Sequence, residues 1–249
     1  MKIGRLAGPP MIVHYRFPRR ETQSAGGACS MAGEGYRLVI GNKHTSSWSL
    51  RPWLALKEAG IPFEEVRINL RDADKTEQIL AHSPAGKVPV LWVGDLLIWD
   101  SFAILEFLAE RHPEKGLWPS DSDARAVARA ASAEMHSGFQ PLREHCPMKF
   151  LTVEPKTEHS EPVQANIRRI VELWKDCRRR FGGTGPFLFS TFSIADAMYA
   201  PVASRFRTHV GDLGAYGDDG TAAAYIDALF ALPSMEVWAQ GAKEEMATR

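Results

Sequence analysis

A chain of 249 residues, 45% of them apolar, is long enough to bury one large core or two modest ones. Its 30 basic residues balance 30 acidic ones, so no net field gathers phosphate backbones or anionic lipid, and nucleic acid is not an expected partner. The three cysteines, Cys29, Cys146 and Cys177, fit neither a disulfide framework nor paired zinc ligands, and no stretch approaches the roughly 20 apolar residues of a membrane span. The expectation is a soluble, cytoplasmic protein in a reducing compartment, without a membrane partner.

Residues 1–35 carry Arg16, Arg19 and Arg20, frequent Gly and Pro, and no apolar period. They read as a disordered extension or as the product of a start placed too early, with Met31 as an alternative start; a basic, acid-poor organelle-targeting segment is the sharper alternative. Regular patterning begins at Tyr36. Leu38, Val39 and Ile40 form a short apolar run ended by Gly41 and Asn42, as expected of a buried strand. After a loop, in which His44 reads as a solvated histidine, Ser49 is expected to cap a helix carrying Leu50, Trp53, Leu54 and Leu56. Pro52 is tolerated in its first turn and Gly60 is its left-handed stop. Residues 63–70 read as a strand and 74–81 as a short helix. Gly94-Asp95, flanked by the apolar runs 90–93 and 96–99, signals a tight hairpin, and residues 101–111 form a closing helix.

Past Pro113 and Pro119 strand signals stop and helical periods take over at 124–144, 163–181, 194–208, 222–232 and 235–247. The expected fold class is α/β plus all-α: a thioredoxin-like domain over 36–112, a linker at 113–122 and a helical-bundle domain over 123–249. Gly182-Gly183-Thr184-Gly185-Pro186 follows a helix and reads as its stop, without a phosphate cradle. Trp174 and Trp238 are expected in the core. No two of the eight histidines share a helical face at ligand spacing, so no metal is expected.

Three segments carry chemistry. Thr45-Ser46-Ser47-Trp48-Ser49 places hydroxyls where a helix begins, and there unpaired amides and the helix dipole favour an anion such as a thiolate. Lys87-Val88-Pro89 stands directly before an apolar strand. A cis bond there, which only about 5–6% of X-Pro bonds adopt, would turn the Val88 backbone outward to pair with an extended peptide. Asp100-Ser101 sets an acid and a hydroxyl at a helix start, able to hold a ligand's ammonium and carboxylate together, although alone it is an ordinary N-cap. In the helical half, Ser193-Ile194-Ala195-Asp196 reads as a capping box with a structural role.

Taken in order, these segments resemble the glutathione transferase family over residues 37–245. The resemblance implies a glutathione S-transferase active in detoxification. Glutathione would be its cosubstrate, no metal would be needed, a small, largely apolar electrophile would be the second substrate, and the usual state would be a homodimer. It implies that Ser46 holds the glutathione thiolate, with Ser47 as its close competitor. Val88 would pair with the cysteinyl unit, Pro89 would shape that turn, Asp100 and Ser101 would hold the γ-glutamyl end, and Lys87 would lie near the glycyl end. Ser46-Ser47 with Ser49 and Arg51, and the stretch Ser137-Gly138-Phe139-Gln140-Pro141-Leu142, are similar to the zeta class, which makes Gln140 a further glutathione contact. Trp48 stands where zeta enzymes carry a cysteine, a departure that bears on their isomerase chemistry. A zeta-type isomerase or dehalogenase and a non-catalytic binding or stress protein are the alternatives. A thiol-disulfide oxidoreductase would need an attacking cysteine at the first helix, and none stands between residues 37 and 62.

Overall fold

A computed structural model describes residues 35–156 and 158–248; Cys29, Met31 and, but for Gly35, the extension expected over residues 1–35 lie outside the described residues. The strand-bearing part runs β1 (Tyr36–Ile40), α1 (Ser47–Glu58), β2 (Phe63–Arg67), α2 (Lys75–His82), β3 (Val90–Val93), β4 (Leu96–Trp99) and α3 (Ser101–Arg111). The sheet order is β2-β1-β3-β4, with β1 and β2 parallel and the other two pairs antiparallel. Side chains alternate across a strand, so Leu38 and Ile40 face one side and Val39 the other. The first set joins Leu91, Val93 and the α1 and α3 residues Leu50, Leu54, Ile104 and Leu108 in the main core. Val39, Val90 and Leu97 form a smaller cluster with Ile79 of α2. This small mixed sheet with helices on both faces is the thioredoxin-like arrangement expected of the strand-bearing part.

The helical part comprises α4 (Ser122–Ser137), α5 (Gln140–His145), α6 (Glu161–Phe181), α7 (Ile194–His209), α8 (Thr221–Phe230) and α9 (Pro233–Ala247). Trp174 of α6 stands at its centre, fully buried among Tyr199, Phe206 and Tyr225 at centroid distances of 5.6, 5.4 and 4.9 Å. α7 is buried along nearly its whole length and packs against both α1 and α4, which fuses the two parts into one core.

Three expectations need correction. Residues 124–144 are two helices, because Pro141 has no amide to continue the ladder and its ring excludes a helical path through the preceding turn. Gly138 closes α4 where a Cβ would lie 2.7 Å from the Glu134 carbonyl, Phe139 takes a left-handed φ of 60°, and the Arg143 side chain turns back to the free carbonyls of Met135 and His136. The second strand stops at Arg67, since the Leu70 amide is taken by the Asn42 side chain at 2.8 Å. The first helix begins two residues before Ser49, which is therefore not its cap: Ser46 holds that position and Ser49 lies inside the first turn.

The loop between β1 and α1 is gripped by the last helix. Trp238 donates its indole hydrogen to the Lys43 carbonyl at 2.8 Å and packs edge-on against Trp53 at 5.0 Å. Glu245 accepts from the Lys43 amide at 2.8 Å. Trp238→Phe keeps most of the packing and strands the Lys43 carbonyl, so it is expected to lower stability by about 1–3 kcal/mol. Urea unfolding measures this, and an unchanged midpoint would show that the grip adds nothing.

Candidate functional site

The sheet register brings the three chemical segments to one edge. β1 pairs Val39 with Val90, and β3 pairs Val90 with Trp99. Ile40-Gly41, Val88-Pro89 and Asp100-Ser101 therefore lie side by side where their strands end or begin. The Val88–Pro89 bond is cis.

From that edge Asn42 folds the chain into α1, its carbonyl accepting the Thr45 and Ser46 amides at 3.2 and 2.8 Å. Ser46 and Ser47 are both nearly buried, at 6% and 9% exposure, and they face different partners. Ser46 Oγ lies 2.8 Å from Ser49 Oγ, which in turn accepts the Gly41 amide at 3.1 Å. Ser47 Oγ accepts a hydrogen bond from Arg205 Nη2 at 3.1 Å, across to α7. No acidic residue stands in the first turn of α1, so its positive end is not offset locally.

Asp100 caps α3, one carboxylate oxygen accepting the Phe102 and Ala103 amides at 2.8 and 3.2 Å. Its φ of 73° lies in the left-handed region that favours glycine, a strained setting that tends to mark functional positions. Its other oxygen lies 3.1 Å from Nε2 of His136, in the last turn of α4. Ser101 is buried and its hydroxyl lacks a partner among the described residues, which leaves it able to meet a ligand. Lys87 is exposed. Gln140 is exposed as well, and its amide donates to Glu144 at 2.6 Å within its own helix. The capping box is as read: Asp196 accepts from the Ser193 amide and hydroxyl at 2.8 and 2.9 Å.

Several site residues were not assigned from the sequence. The Trp48 ring carries Arg51 at 4.2 Å and Arg143 at 4.7 Å from its centroid, with His136 edge-on at 5.3 Å. Arg51 is 2% exposed, and its Nε and Nη1 have no partner among the described residues. Burial, with the Arg143 and Arg205 cations beside it, pushes Arg51 down to about 9, still charged at neutral pH. Among the described residues, the hydrogen bonds of Arg143 and Arg205 run to carbonyls and to Ser47, not to a carboxylate. A cluster of cations with free donors beside a helix N-terminus is suited to an anion. Only Arg51, a charge among apolar residues of α1, could have signalled it, since Arg143 and Arg205 arrive from remote helices.

His44, expected in solvent, is 7% exposed, because the Leu151 segment and the α9 carboxylate close over it. Burial pushes His44, His136 and His209 below the ordinary histidine value, in His136 against the upward pull of Asp100. The unfolded chain, with histidines near 6.5, takes up protons that the folded chain refuses. The contribution of these three histidines to stability is therefore expected to be full above about pH 7 and to fall as pH drops through about 6.5. Denaturant midpoints at pH 7.5 and 5.5 check this, and His209→Gln should narrow the gap.

The family models for the glutathione S-transferase N-terminal and C-terminal domains match residues 45–111 and 155–215. Glutathione S-transferase Z2 of Arabidopsis thaliana is 36% identical over 171 residues, covering 66% of this chain and 74% of that protein. The zeta-class glutathione S-transferase of Euphorbia esula is 34% identical over 135 residues, 53% of this chain, and the match spans only 60% of that protein's length. Maleylacetoacetate isomerase of Pseudomonas aeruginosa is 39% identical over 120 residues, 46% of this chain and 55% of that one. The fold is shared with a glutathione transferase homolog from Burkholderia gl BGR1, solved with bound glutathione, at a TM-score of 0.63, 22% identity, and coverage of 85% of this chain and 100% of that one. Two family models in the expected order, a relative matched over most of its length and the shared fold lead to one conclusion: the chain belongs to the glutathione S-transferase family.

Proposed function

We propose that the protein binds glutathione along the sheet edge and activates its thiolate at the N-terminus of α1 for attack on a small electrophile. The observation that supports this reading is the alignment of Ile40-Gly41, Val88-Pro89 and Asp100-Ser101 at the ends of paired strands, with Ser46 linked to Gly41 through Ser49. Ser46 donates to the thiolate, with Ser47 as the rival donor. Val88 pairs with the cysteinyl backbone, Ser101 and Asp100 take the γ-glutamyl end, and Lys87 and Gln140 lie toward the remaining polar groups. Asp100 exchanges His136 for the ligand's ammonium, a stronger charge partner than a neutral imidazole. The chain is read as a cytoplasmic homodimer serving detoxification.

A second reading is favoured by the free donors of Arg51. A carboxylate-bearing electrophile would find cationic partners around Trp48 that an apolar one would not use, as a zeta-type isomerase or dehalogenase requires. Rates of glutathione conjugation to an activated aryl halide, set beside turnover of an α-halo acid and a cis-unsaturated diacid, separate the two. Acceleration of the halide alone supports the first reading and of the acids the second. Binding of glutathione without any turnover would leave a non-catalytic binding protein.

A further inference from the structure

We propose that Ser49 is a positioning residue for the reaction, its hydroxyl forming the middle of a relay that runs from the Gly41 amide through Ser49 Oγ to Ser46 Oγ and ends on the glutathione sulfur. The proposal rests on the thiolate reading above and assigns a direction to its hydrogen bonds. The Gly41 amide can only donate, so at 3.1 Å it occupies an acceptor site on Ser49 Oγ. Ser49 is fully buried, and its Oγ lies 2.8 Å from Ser46 Oγ, which offers its single hydroxyl hydrogen an acceptor. The reverse polarity, Ser46 donating to Ser49, would strand the Ser49 hydrogen in a buried site, which is costly. With Ser49 donating, the Ser46 oxygen is an acceptor and its own hydrogen is free to point at an anion. Chained hydrogen bonds polarise one another, so Ser46 becomes a stronger donor than an isolated serine.

The surroundings hold this geometry. The backbone of Ser46 is tied to the Asn42 carbonyl at 2.8 Å, and Gly41 leaves the space in which the pair sits: a Cβ there would come within 2.6 Å of Leu70 and 3.2 Å of Ser46 Oγ. Ser47 belongs to a separate arrangement, because its oxygen accepts from Arg205 and has no link to Ser49. The relay therefore also distinguishes the two candidate serines.

The test is the ultraviolet titration of the thiol of bound glutathione on the full chain and its Ser49→Ala, Ser49→Cys and Ser46→Ala variants, with the pH profile of kcat/KM alongside. Ser49→Ala is expected to raise the thiol pKa by about one unit and lower kcat/KM about tenfold at neutral pH, with the rate recovered at alkaline pH and glutathione affinity within about twofold. Ser49→Cys, a similar volume with a weaker donor, is expected to shift the thiol partway, and it reads the relay even if the alanine variant unfolds. An unshifted thiol in a folded Ser49 variant, with Ser46→Ala shifted, overturns the relay and leaves the thiolate reading standing. A loss of rate equal at every pH also overturns it. If Ser46→Ala leaves the thiol unshifted as well, the assignment of Ser46 itself has failed.

Discussion

Asp196→Ala is expected to cost about 3–5 kcal/mol, enough to leave a domain of ordinary stability close to unfolding at 37 °C. The carboxylate is fully buried and accepts four hydrogen bonds: from the Leu188 amide at 3.1 Å, the Tyr225 hydroxyl at 3.0 Å, and the Ser193 amide and hydroxyl at 2.8 and 2.9 Å. Burial pushes it up to about 6 while the four donors pull it down, so at neutral pH it is ionised and every donor is satisfied. Alanine strands two backbone amides and two hydroxyls in the core beside Trp174 and Tyr199. Asp196→Asn keeps one acceptor oxygen but turns donors toward donors, and should fall between the two. Urea unfolding followed by tryptophan fluorescence measures both. A loss below about 1 kcal/mol for alanine would show that the network is not coupled to the core.

Arg51→Met is expected to change stability and binding in opposite directions. A guanidinium with unpaired donors is held at 2% exposure against an indole, a costly arrangement that an apolar side chain of similar length relieves. Some cation–π attraction to Trp48 is lost in exchange. The net expectation is a gain of about 1–2 kcal/mol in unfolding free energy. If the cationic cluster receives a carboxylate-bearing electrophile, its KM should rise about 10–100-fold, the loss of one charge-assisted hydrogen-bonded pair. The KM for an apolar electrophile should hardly move. A variant that is less stable and kinetically unaltered would mean that Arg51 is a structural cation, and the acid-bearing electrophile would lose its main support.

The elements legible in the sequence were those set by local chemistry. Gly94-Asp95 made its hairpin, Gly60 its left-handed stop at φ 62°, and Ser193 with Asp196 its capping box, because each depends on residues within a few positions. The start of α1 was misplaced for a related reason. Ser46, Ser47 and Ser49 are equally good local caps; Ser46 takes that place, while Ser47 and Ser49 lie inside the first turn, where Ser49 accepts from Gly41 and Ser47 from Arg205. The break in the fourth helix was also written locally, in Gly138 and Pro141, but the apolar period runs across both and masks it.

The site divides the same way. Serine loop, Lys-Val-Pro and acid-Ser pair were readable as motifs, whereas His136 against Asp100, and Arg143 and Arg205 beside Arg51, come together only through packing of α4, α5 and α7 on α1 and α3. Periodicity placed those residues on helices without fixing which face meets the sheet edge. The burial of His44 depended on a helix about 200 residues away, which no window of the sequence contains.

Whether the N-terminus of α1 ionises bound glutathione is read by an ultraviolet difference titration of glutathione on the unaltered chain and on Ser46→Ala and Ser47→Ala. A thiol free in solution ionises near 8.5, and a hydrogen bond to the charged form lowers that by about one to two units. A thiolate signal at neutral pH is expected, one that Ser46→Ala abolishes and Ser47→Ala leaves largely intact. Failure to bind glutathione, or binding with the thiol at its solution value, would contradict that expectation.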